Sequence, residues 1–140
     1  MLAVKLFRIV TTELARCGQD VRLLHSITVI IWGIAHLFPT KSVVKGFGDI
    51  SIDNKNILKM EWVTEGFSLI FTGVLLLSVT IIGDNENIIS RIVYITSSVF
   101  LFSMAILSFL TGYKVNFLPY KLCPIIFLIS GILILIGSLL

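Results

Sequence analysis

Three ionisable side chains sit beside long apolar sequence in an order that could do chemistry: His36, Glu61 and Glu65. Imidazole and carboxylate exchange protons and ligate divalent metals. His36 closes one apolar stretch, and the two carboxylates open the next. If those stretches form an antiparallel helical hairpin, all three groups share one end of it. Glu61 and Glu65 are four apart, so both project from one helix face. Glu65 falls about 9 Å along the helix from Lys59, deep enough to lie partly below lipid head groups. An ionised carboxylate there costs several kcal/mol unless it faces a partner or water. The functional reading is a polar pocket at one mouth of a helical bundle, able to hold a ligand, pass a proton or take a metal. The simpler reading is structural. Carboxylates in a first helical turn and a histidine in a last turn both complement the helix macrodipole, and Glu61 can lie wholly in the interface.

Other reactive types add little. His25 and His36 share a helix face about 16 Å apart, too far to ligate one metal or one haem iron within a single chain. Cys17 and Cys123 are the only cysteines. They are expected on opposite sides of a hydrocarbon core roughly 30 Å thick, beyond the reach of a disulfide. No nucleophile–base arrangement stands out, and Cys123 is the one thiol expected near His36. No metal site and no cofactor are assigned.

The elements that must position these groups are read from hydropathy. Apolar segments cover about residues 23–40, 60–82, 91–112 and 122–140. Each is long enough to cross a bilayer as a helix. The first has no Asp, Glu, Lys or Arg between Arg22 and Lys41, and Pro39 ends it by removing a donor and restricting Phe38. Residues 1–22 place apolar side chains at helical spacing among Lys5, Arg8, Glu13 and Arg16. They read as an amphipathic helix, either at the membrane surface or packed on the bundle. Residues 41–58 read as a turn-rich loop, with Gly46, Gly48, Asp49, Asp53 and Asn54. It is either a solvated hairpin loop, the simpler case, or a lid over the bundle mouth. Pro124 is expected in the first turn of the last helix, where a missing amide is harmless.

Composition agrees. The chain is 56% hydrophobic and 14% charged, where a soluble domain is about a quarter charged, and its mean hydropathy is +1.03. Lipid rather than water must cover much of its surface. The net charge of +3 is spread out, with no basic run, which argues against a nucleic-acid partner. Four spans put both termini on one side. The terminus side holds Lys5, Arg8, Arg16, Arg22 and Arg91. The other holds Lys41, Lys45, Lys55, Lys59, Lys114 and Lys121. This balance leaves the orientation open, with cytoplasmic termini favoured only because short four-helix proteins commonly start there.

The run Gly33-Ile34-Ala35-His36 and the group Trp62…Glu65-Gly66 resemble small bacterial four-helix membrane proteins of the broad DoxX-like type. The likeness covers about half the chain and implies no catalytic residues. Small multidrug exporters also have four spans, but their pattern puts a Glu in the middle of helix one, and none stands there here. The chain thus reads as an all-α, four-transmembrane-helix bundle with an amphipathic N-terminal helix. It is expected in the cell membrane, as a multi-pass protein of a bacterial inner membrane. The bilayer is its expected partner, alone, as a homo-oligomer or in a larger complex. Its expected role is that of a non-enzymatic accessory or ligand-binding subunit with a polar pocket at the mouth formed by residues 41–58. A homo-oligomeric proton-coupled transporter or channel, and a membrane redox or lipid enzyme, are the alternatives.

Overall fold

The computed structural model describes residues 2–83, 87–116 and 118–140, with side chains from Thr12 onward. The described chain is helical throughout, with no strand among the described residues: α1 (Leu2–Leu37), α2 (Thr40–Gly46), α3 (Ile52–Ile82), α4 (Ile88–Leu110), a single 3-10 turn (Gly112–Lys114) and α5 (Leu118–Leu139). Four of these helices are long and apolar enough to cross a membrane. The molecule is a small multi-pass membrane protein.

Local chemistry sets the helix ends. α1 stops at Leu37, two residues before Pro39, and α2 starts directly after that proline. The Ser51 side chain caps α3 by accepting from the Asn54 amide at 3.2 Å, and Asn87 caps α4 by accepting from the Ile89 amide at 2.9 Å. Each cap satisfies one of the amides a helix start leaves without a partner. Between α2 and α3 the chain reverses at Gly48, whose φ of +72° lies in the left-handed region that glycine enters at no steric cost.

Three elements differ from expectation. First, α1 runs unbroken through Arg22. No boundary separates an amphipathic segment from a first span, and the apolar window extends over Thr12–Leu37. Secondly, residues 41–58 are mostly helical. They contribute most of α2 and the first two turns of α3, because Val43 and Val44 find a buried surface. Thirdly, α5 begins at Leu118, so Pro124 lies inside the helix rather than in its first turn and deletes one intrahelical bond. Residues 84–86, between α3 and α4, lie outside the described residues.

Each long helix buries one narrow stripe. On α1 it contains Arg22, Ser26, Val29, Gly33 and His36; on α3 it contains Trp62, Gly66, Leu69, Gly73, Leu76 and Thr80. Steps of three and four residues keep such a stripe facing a neighbour crossed at a shallow angle. Small residues recur in both stripes because lipid offers helices no hydrophobic drive to associate, and close backbone approach supplies the dispersion energy instead. α1 packs antiparallel along α3 and also against α5, and α4 packs along α5; α3 and α4 meet only sparsely. Large apolar side chains face outward, among them Phe67, Phe71, Ile106 and Phe109, as lipid contact requires.

Opposite the His36 end, a buried polar cluster ties the helices together. Arg22, expected to mark the edge of the first span, is only 3% exposed. Its Nη1 donates to the Gly137 carbonyl, and its guanidinium lies 5.1 Å from the centre of the Tyr94 ring. The Tyr94 hydroxyl in turn lies 3.1 Å from Thr80 Oγ1. A charged hydrogen bond plus a cation–π contact offsets part of the cost of burying the guanidinium.

Two outcomes are expected for thermal unfolding in mild detergent, followed by circular dichroism. A Cβ on Gly73 would come within 2.9 Å of the Ser26 carbonyl and the Ile30 amide, whereas nothing lies within 4 Å of one on Gly46. Gly73→Leu should therefore cost about 1–3 kcal/mol and Gly46→Ala almost nothing. Arg22→Ala should cost about 2 kcal/mol, the scale of a hydrogen bond to a charged group, while Arg91→Ala, at an exposed position, should leave the transition in place.

Candidate functional site

His36 stands in the last turn of α1, where the final carbonyls have no intrahelical donor. Trp62, in the third turn of α3, supplies one: its Nε1 donates to the His36 carbonyl at 2.7 Å. The same indole stacks on the imidazole, with ring centres 3.9 Å apart and planes 16° from parallel. Tyr120, at the start of α5, meets Trp62 edge-on at 5.3 Å. Three helices thus converge on one aromatic stack. Close passage of α1 and α3 makes this possible: a Cβ on Gly33 would sit 2.9 Å from the Gly66 carbonyl.

Glu65 lies one turn beyond Glu61 on α3. Its Oε2 is 3.4 Å from His36 Nε2; the imidazole is 2% exposed and the carboxylate 31%. That separation makes an ion pair possible but is too long for a good hydrogen bond, and among the described residues neither ring nitrogen of His36 has a hydrogen-bond partner. A buried, unsatisfied imidazole is costly unless something else completes it.

His36, Glu61 and Glu65 line one half-enclosed cavity of about 410 Å³. Glu61 is exposed at its rim, as its place nearer the helix start suggested. Val43, Phe47 and Leu58 also line it. The segment after α1 therefore contributes wall to the cavity and is more than a solvated connector. From α4 come Phe100, Met104, Leu107 and Ser108, and from α5 Tyr120 and Cys123.

Lys114 and Lys121, on the same side of the bundle as His36, do not line this cavity. Lys114 is exposed, and Lys121 donates to Asn116 Oδ1 at 3.2 Å. His25 is half-buried elsewhere on α1. Both cysteines are free, Cys17 exposed and Cys123 buried. Among the described residues, no group of three or more His, Cys, Asp or Glu side chains gathers as a metal ion would need.

Sequence reasoning passed over Trp62 as a site residue. A signal existed: Trp62, Gly66 and Leu69 fall on one helical stripe with Glu65 at its margin. The α4 wall had no such signal, because Phe100, Met104 and Leu107 look like any lipid-facing run. Compared with known proteins, the chain matches no family model, no curated protein and no solved structure.

Trp62→Phe keeps the ring stack and deletes the Nε1 donor. The His36 carbonyl then loses a partner, so the variant should be destabilised by about 1 kcal/mol, the usual scale for a hydrogen bond between membrane helices. Thermal unfolding beside Trp32→Phe, which leaves the Trp62 bond intact, reads this out.

Proposed function

We propose that this protein is a small integral membrane subunit that binds a small molecule in the cavity at the His36 end of the bundle. The observation that supports this most is the buried His36 ring, which lines the cavity and whose two nitrogens have no hydrogen-bond partner among the described residues. A cavity with convergent polar groups and apolar walls is the usual form of a ligand site. On this reading the role is non-enzymatic, that of a binding or accessory subunit. Its setting is the cell membrane of a bacterium, with both termini in the cytoplasm and the bilayer as its constant partner, either alone or as a homo-oligomer.

One observation favours a second reading. A partly exposed carboxylate 3.4 Å from a buried imidazole is also a proton-relay geometry, which a proton-coupled transporter would use. Normal transport by a folded Glu65→Gln variant would remove that reading.

Native mass spectrometry of the protein purified in mild detergent tests the first. Wild type should carry a small molecule of defined mass, and Ser108→Trp, which fills the cavity from α4, should lose it. Identical spectra for the two proteins would contradict the proposal.

A further inference from the structure

The cavity has a chemistry of its own. Of the described side chains that line it, the formally charged ones are Glu61 and Glu65, and none is a lysine or arginine. Beside them stands His36, 4% exposed, with neither ring nitrogen hydrogen-bonded. An imidazole nitrogen bearing a lone pair accepts a hydrogen bond. The aromatic rings of Phe47, Phe100 and Tyr120 also line it, and aromatic faces attract cations. Carboxylates, a free acceptor nitrogen and aromatic rings all favour a positively charged donor and disfavour an anion.

The cavity also continues sideways. A second space, of about 600 Å³, lies between α3 and α4, lined by Phe67, Phe71, Thr72, Leu75, Thr96 and Ser97. It shares Thr64, Ser68 and Phe100 with the first. The two form one groove where α3 and α4 meet sparsely. From Glu65 to Leu75 it follows α3 for about 15 Å. The hydroxyls of Ser68 and Thr72 on its wall donate to the carbonyls of Thr64 and Ser68, both at 2.8 Å, so they present a satisfied surface to an apolar guest.

We infer that the occupant is a lipophilic ammonium compound, its N–H-bearing cationic head against the Glu65 carboxylate beside His36 and its hydrocarbon chain in the α3–α4 groove. The inference deepens the pocket reading above and rests on it. The head supplies the selectivity. The chain supplies little affinity, because a bilayer already solvates it as well as the groove does. It directs the molecule to enter laterally, from lipid.

The test is a titration of the protein in nanodiscs of zwitterionic lipid, with tryptophan fluorescence as the signal. The probes are decylammonium, decanol and decyl sulfate, compared at equal membrane-bound concentration. Decylammonium should saturate at a concentration at least tenfold below either of the others. Glu65→Gln should raise its midpoint at least tenfold. Thr96→Trp, which fills the groove from an exposed α4 position, should do the same while keeping wild-type helicity and thermal transition. Equal saturable binding of all three probes would overturn the ammonium assignment and leave the pocket standing. No saturable binding of any probe would remove the pocket reading itself. Unchanged decylammonium binding by Thr96→Trp, or a stable dimer that fills the groove and excludes the probe, would overturn the lateral route.

Discussion

Backbone contact between α1 and α3 is the constraint on which the rest depends. Gly33, Gly66 and Gly73 let the two helices pass so closely that a single added carbon would meet backbone or side-chain atoms of the other helix. Nothing bulkier would bring His36 into van der Waals stacking with Trp62 or set Glu65 beside its ring. The site is therefore a product of helix packing. In lipid that packing arises from close fit and a few buried hydrogen bonds, because apolar surface gains nothing by leaving one hydrocarbon for another.

The two ends of the bundle solve the problem of buried polarity differently. At the Arg22 end the guanidinium meets the Gly137 carbonyl and the Tyr94 ring, and α1, α4 and α5 are joined through it. At the His36 end the backbone carbonyl is satisfied by Trp62 but the ring nitrogens are not. Buried polar atoms without a hydrogen-bond partner among the described residues occur at both ends, Arg22 Nε and His25 Nδ1 at one and the two His36 nitrogens at the other; what sets His36 apart is that it lines a cavity beside two carboxylates. One end has the character of a fastening and the other of a receptor. The sparse contact between α3 and α4 lies on the receptor side and opens it toward lipid.

Much of the fold was legible in the residues. Four long apolar stretches, a proline after the first and a glycine near the end of the second leave little freedom in helix number. The meeting of His36, Glu61 and Glu65 followed from their spacing and an antiparallel hairpin. What was not legible depends on tertiary partners. A charged residue ordinarily bounds a span, so Arg22 read as an edge; only Tyr94 and Gly137, over seventy and over a hundred residues away in sequence, explain its burial. Residues 41–58 are rich in turn formers, yet α2 forms because Val43 and Val44 have a surface to bury against. The α3–α4 groove is an absence of packing, and hydropathy cannot register an absence.

The most direct measurement is an experimental structure of the protein in native lipid, at a resolution that shows ordered small molecules. Elongated density in the α3–α4 groove, with its polar end within hydrogen-bond distance of His36 and Glu65, is the predicted result. A groove filled by the protein's own side chains or by a helix of a second copy, with both His36 ring nitrogens bonded to protein, would contradict the account.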